Sequence, residues 1–141
     1  MSINSSGDLI FQNISDLPNV LNYTEISATT TTSTTSTSYV SINSMSSTPA
    51  QGTYLVFFSA SGKGGVNNQR LDICLYKNAS QIIHSERYSG YDVTNGIKNM
   101  RRSFHTQAVV QMNGSDVITT SFKTNTNTFT IYRRSMILVK I

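Results

Sequence analysis

From residue 52 onward, apolar and polar positions alternate with a period near two, the pattern of strands that bury one face. Residues 53–61 (TYLVFFSAS) carry apolar side chains at both parities and predict a strand buried on both faces. Residues 70–76 place Leu71, Ile73 and Leu75 on one face. Lys77-Asn78-Ala79-Ser80 then predicts a turn into a strand over 81–88, and residues 89–100 read as a long loop. Phe104, Thr106, Ala108, Val110 and Met112 share a face of the next strand. Asn113-Gly114 is the strongest hairpin signal in the chain, with a return strand over 117–123. Asn125-Thr126-Asn127 turns into a closing strand over 129–141. No helical period competes.

The first fifty residues are less regular. Residues 1–22 hold Leu9, Ile10, Phe11, Ile14, Leu17, Val20 and Leu21, separated by polar residues and Pro18. Pro18 interrupts the weak helical spacing of Leu17, Val20 and Leu21. The segment reads as an extended arm; a strand added to the chain's own domain is the alternative. An arm with this much apolar surface needs something to lie on. Residues 29–38 are ten consecutive Ser or Thr. A flexible or glycosylated linker is one reading. A strand is favoured, because Thr is β-branched and the run leads into the alternating Tyr39-Val40-Ser41-Ile42. Ser47-Thr48-Pro49-Ala50-Gln51-Gly52 is a turn. The division is therefore an arm, 1–22, and one all-β domain, 23–141. Eight or so short strands with tight turns imply an antiparallel sandwich or jelly roll. Strands apolar on both faces imply that one sheet packs on other subunits.

Composition sharpens this picture. Only 13% of residues are charged, about half the usual share for a soluble domain. The single cysteine, Cys74, excludes an intrachain disulfide. No charged-then-apolar leader opens the chain, which argues against classical secretion and for synthesis in a reducing cytoplasm. No apolar run approaches the roughly 20 residues of a membrane helix. Of the net charge of +4, residues 1–62 contribute −3 and residues 63–141 contribute +7. The bases stand singly apart from Arg101-Arg102 and Arg133-Arg134, without the density of a phosphate-tracking patch. The expected partners therefore include neither nucleic acid nor membrane. Either Arg pair could meet Glu86, Asp72 or Asp116 across subunits, or simply face solvent.

Chemistry-bearing residues are sparse. His84 and His105 are far apart, and Cys74 is read as a small buried residue, with a Cys74–His84 or Cys74–His105 dyad as the alternative. Asp92 has no companion carboxylates for calcium. Gly62-Lys63-Gly64-Gly65 lacks the full phosphate-loop pattern and reads as a mobile loop. Asn4, Asn13, Asn22, Asn78 and Asn113 open Asn-x-Ser/Thr triplets that a chain of this composition produces by chance. No catalytic residues, metal ligands or cofactors are assigned, and an enzyme is not expected.

An ordered set of segments, GTYLVFFSASGK at 52–63, LDICLYKNASQIIHSER at 71–87, FHTQAVVQMNGSDVITTSFKT at 104–124 and RSMILVKI at 134–141, resembles the tumour-necrosis-factor-like, complement-globular-head-like jelly roll of phage structural proteins. The Thr-rich stretch at 29–42 is similar to that family's first strands. One departure is Asn78-Ala79, where the family commonly has Asn-Gly. The resemblance implies a tight homotrimer about a threefold axis, with Tyr54, Phe58, Phe122, Phe129, Tyr132 and Ile141 as candidate contact residues. Each of the six has plain intrachain core as its alternative role. It also implies a virion protein: a capsid decoration (cement) protein, seated on the capsid exterior and anchored to the major capsid protein by the arm. The alternative is a receptor-binding knob of a tail fibre or spike, which usually follows a repetitive shaft that this sequence lacks.

Overall fold

The computed structural model describes residues 2–3, 9–10, 22–90 and 101–141. Strands β1 (Ser2–Ile3) and β2 (Leu9–Ile10) pair with each other, antiparallel. The remaining residues build β3 (Tyr23–Ala28), β4 (Thr32–Thr34), β5 (Val40–Ser47), β6 (Gly52–Gly64), β7 (Arg70–Lys77) and β8 (Ser80–Gln81). A 3-10 helix (Ile83–Ser85), β9 (Arg87–Gly90), β10 (Arg102–Met112), β11 (Ile118–Thr124) and β12 (Phe129–Lys140) complete them.

Two antiparallel sheets result. The first runs β10-β6-β12-β3, with β4 also on β12. The second runs β5-β11-β7, with β8 and β9 beside β7. The chain crosses repeatedly between them, giving a jelly-roll sandwich. Phe58, Phe122 and Phe129 fill the space between the sheets with Ile42, Met45, Leu71, Leu75 and Met136. Each such side chain contributes roughly 1.5–3 kcal/mol by leaving water.

Local rules explain most elements. Leu71, Ile73 and Leu75 face the core together, as do Phe104, Thr106, Val110 and Met112. Asn78 and Ala79 form a two-residue turn with both φ angles positive, 48° and 65°, and β7 returns as β8 with Lys77 opposite Ser80. The twist of such a turn suits a hairpin.

Several expectations need correction. The hydroxyl run is not one strand: only Thr32–Thr34 pairs, on β12. Beyond it, Ser36 N–H donates to Thr34 Oγ1 and Ser38 N–H to Ser36 Oγ, so side chains take over the ladder's role. Gly62 and Gly64 belong to β6 rather than to a loop. A Cβ on Gly62 would lie 2.7 Å from the Thr130 carbonyl oxygen, so close backbone packing demands glycine there, while one on Gly64 would lie 2.2 Å from Gln69 Oε1 and displace that side chain. The expected strand over 81–88 is broken because the Ser85 hydroxyl accepts the Leu75 N–H at 2.8 Å, replacing a backbone partner. Asn113-Gly114 does not make a hairpin, because β10 and β11 lie in different sheets. Asn113 Oδ1 instead accepts the N–H groups of Ser115 and Asp116, folding an Asx turn that carries the chain from sheet to sheet. Of the expected loop over 89–100, residues 89 and 90 fall in β9, and 91–100 lie outside the described residues.

One irregularity redirects β12. Its register with β6 shifts between Ile131 and Arg133. Before the shift Phe129 and Ile131 face the core; after it Arg134, Met136 and Leu138 do. Such a bulge moves the following residues to the opposite face. Arg134 is thereby only 4% exposed. Its guanidinium donates to the carbonyls of Asn43 at 2.9 Å and Thr30 at 2.6 Å, clamping β12 to β5 and to the β3–β4 link.

Candidate functional site

Among the described residues, no group of three or more His, Cys, Asp or Glu could hold a metal ion, and no helix is long and apolar enough to cross a membrane. Cys74 is buried; its sulfur lies 3.3 Å from Ser85 Oγ and near the carbonyls of Leu75 and Ile82. Burial pushes its thiol pKa up, which opposes thiolate formation. Neither histidine is among its hydrogen-bond partners: His84 lies exposed in the 3-10 helix and His105 exposed on β10. Asp72 and Asp116 pair within the chain. Asp72 meets Arg70 at 2.7 Å and Lys123 at 3.5 Å, and Asp116 meets Lys77 at 2.9 Å. Arg134 binds backbone carbonyls and Arg101 stacks 4.1 Å from the Tyr132 ring centre, so neither pairs with those acids here.

The informative surface is the outer face of the first sheet. Alternation along β6 turns Tyr54, Val56 and Phe58 inward and Leu55, Phe57 and Ser59 outward. Residues 53–61 are thus not buried on both faces, because nothing in the single chain covers the outer one. Register then assembles rows across four strands. Val109, Leu55, Val139 and Tyr23 stand opposite one another in order. The next row is Gln107, Phe57, Ile137 and Glu25. Val109 is 62% exposed, Tyr23 61% and Phe57 37%; Leu55, Ile137 and Val139 are partly exposed. Contiguous apolar side chains on a sheet face mark an interaction surface.

The third row is polar: His105, Ser59, Ser135 and Ser27. Ser59 and Ser135 share a hydrogen bond of 3.1 Å beside a shallow depression of about 450 Å3. The face therefore has an apolar half near the chain's C-terminal end and a hydroxyl-rich half with His105.

Of the six residues singled out for subunit contact, Tyr54, Phe58, Phe122 and Phe129 are enclosed in the chain's own core. Their large rings fill the inter-sheet space, so they are unavailable at a surface. Tyr132 is partly exposed under Arg101, and Ile141 is 66% exposed with its N–H donating to the Thr53 carbonyl. Of the arm residues, Leu9 and Ile10 form β2, whereas Phe11, Ile14, Leu17, Val20 and Leu21 lie outside the described residues. A sheet packed on other subunits is expected from the sequence, but none of the residues of the outer rows is singled out for it. Their signal was present as apolar residues at both parities in Tyr54-Leu55-Val56-Phe57-Phe58, Ala108-Val109-Val110 and Met136-Ile137-Leu138-Val139.

No protein-family model and no curated protein matches this chain. Solved structures match its shape. VP2 of the infectious bursal disease virus subviral particle aligns at a TM-score of 0.57 and 9% identity, over 94% of this chain and 37% of VP2. A chain of the T13 particle of that virus aligns at a TM-score of 0.58 and 9% identity, over 94% of this chain and 35% of its own. The chain thus spans little more than a third of the viral chains it matches. Eiger TNF from S. frugiperda aligns at 0.58 and 8% identity, over 84% of this chain and 92% of Eiger. Identities this low show a shared fold.

Proposed function

We propose that this chain is a structural protein of a virus particle, working through its surfaces rather than through catalysis. Three copies assemble about a threefold axis by apposing the outer faces of their β10-β6-β12-β3 sheets. The observation that carries this reading is the apolar row Val109, Leu55, Val139 and Tyr23, with Phe57 and Ile137 beside it in a row that Gln107 and Glu25 close at its ends, open to solvent in one subunit. Burying them releases water, at roughly 25 cal/mol per Å2 of apolar area. The likeness to VP2 of a subviral particle supports a place in a virion.

Within that role, the trimer serves as a decoration, or cement, protein on the capsid exterior. The arm, 1–22, lays Leu9, Ile10, Phe11, Ile14, Leu17, Val20 and Leu21 against the major capsid protein. Three arms per trimer act together, so weak single contacts sum to firm attachment. No cofactor, nucleic acid or membrane enters this account. Deleting residues 1–22 tests it: particle binding is lost while the trimer persists, and undiminished binding refutes the anchoring role.

The second reading is a receptor-binding knob. The aromatic and aliphatic side chains exposed at the edge of the second sheet, Tyr88 and Ile83, favour it. A knob binds host cells and blocks infection when added as purified protein; a cement protein does neither.

A further inference from the structure

The outer face of the second sheet carries a different kind of surface. Tyr39, just before β5, stretches its side chain toward the β8–β9 connection, where its hydroxyl donates to Glu86 Oε1 at 2.6 Å. Lys123 of β11 lies 4.3 Å from the Tyr39 ring centre and 3.8 Å from Glu86. The ring of Tyr76, on β7, meets the Tyr39 ring edge-on, with centres 5.7 Å apart and planes at 61°. Burial, then the Glu86 hydrogen bond, raises the Tyr39 pKa, so the phenol stays neutral and the bond persists. The two rings are held as an angled wall.

Beside that wall lies a shallow groove of about 360 Å3, lined by Tyr39, Ser41, Tyr76, Ala79, Thr119 and Ser121. Among the described residues the lining holds no acid and no base. Register places Thr119 opposite Tyr76, and Ser121 between Cys74 and Ser41, so hydroxyls form the floor in adjoining rows. The hydroxyls of Ser41, Tyr76, Thr119 and Ser121 make no side-chain hydrogen bond within the described residues. Uncommitted donor-acceptor groups facing a cavity await a partner rich in the same groups. Aromatic walls bind flat apolar faces, while hydroxyls fix orientation.

We infer that this groove binds a neutral saccharide, the C–H face of one pyranose ring lying on Tyr76 and its hydroxyls meeting Ser41, Thr119 and Ser121. A charged sugar finds no counter-ion in the lining, since Glu86 and Lys123 answer each other. A purely apolar ligand would strand four hydroxyls. The site goes beyond the proposed assembly role and is independent of it: it lies on the second sheet, on the opposite side of the sandwich from the apolar rows.

Saturation-transfer NMR on the full chain tests it, with methyl α-glucoside, methyl β-galactoside, N-acetylglucosamine, sialic acid and phenol as probes. The expected result is transfer from tyrosine ring protons to at least one neutral sugar at millimolar concentration, with amide shifts confined to the groove. Tyr76→Ala weakens binding by about tenfold or more, as loss of a stacking surface does, whereas Tyr76→Phe keeps most of it. If Tyr76→Ala does not fold, Ser41→Tyr, at an exposed position, fills the groove and abolishes binding instead. No neutral sugar bound, preference for sialic acid or phenol, or binding unchanged in a folded Tyr76→Ala or Ser41→Tyr variant overturns the inference.

Discussion

Leu55 stands directly opposite Val109 across the β6–β10 ladder, and both side chains point away from the core. Core packing therefore does not explain why both are aliphatic. An antiparallel pair facing water tolerates Thr or Ser at such positions, and two aliphatic residues there are what the proposed trimer contact requires.

A charge placed in that surface separates association from folding. Val109→Asp and Phe57→Asp put a carboxylate in the face proposed to join subunits, and burying it unpaired is strongly unfavourable. Both variants are expected to sediment as folded monomers with the circular dichroism of the parent. Variants that remain assembled at micromolar concentration would show that contact lies elsewhere.

Ala79 holds φ at 65° in the β7–β8 turn, a conformation that costs an L-residue with a Cβ. Ala79→Gly relieves this and is expected to stabilise the protein by about 1 kcal/mol. A higher urea midpoint at matched protein concentration checks it. Ala79 lines the groove but carries no hydroxyl or ring assigned to the sugar, so sugar affinity should change little.

Arg134 satisfies two carbonyls from a buried position. Arg134→Ala leaves the acceptors of Asn43 and Thr30 without a partner and should cost about 2–3 kcal/mol. Arg134→Lys, a point charge without the planar fork, is expected to recover only part of this. Equilibrium unfolding of the three proteins ranks them; equal stability would contradict the clamp.

Acid should weaken the β10–β11 turn. Hydrogen bonding to Lys77, then to Asn78 and Asn113, holds the Asp116 carboxyl below its ordinary range. A lowered folded-state pKa gives stability that is present above the unfolded value, about 4, and is lost as pH falls through the folded one. Wild type should therefore lose stability on acidification below about pH 4, and Asp116→Asn should show a shallower acid limb. Parallel acid limbs would remove Asp116 from the explanation.

Much of the fold was legible, for a definite reason. Burial of one sheet face imprints a period of two, so Leu71-Ile73-Leu75 and Phe104-Thr106-Val110-Met112 declared their strands and their inner faces. Pairing is another matter. Asn113-Gly114 marks a turn, yet a turn does not state whether the next strand stays in the sheet or crosses over. The bulge at Ile131–Arg133 changes which parity faces inward, and alternation read from residue 129 assigns Arg134 to the wrong face. For the contact surface, ring size misled. Phe58, Phe122 and Phe129 are the side chains an inter-sheet core encloses most readily, while the exposed rows carry Leu55, Val109, Ile137 and Val139 together with the alternate-position aromatics Phe57 and Tyr23. The groove was invisible because Tyr39 and Tyr76 lie 37 positions apart in sequence and meet only through the sheet.

Sedimentation equilibrium of the intact chain at micromolar concentration tests the central claim most directly. The account predicts a mass three times the 15.6 kDa of one subunit, insensitive to salt because the contact is apolar. A stable 15.6 kDa species, with Val109 and Phe57 open to solvent, would contradict it.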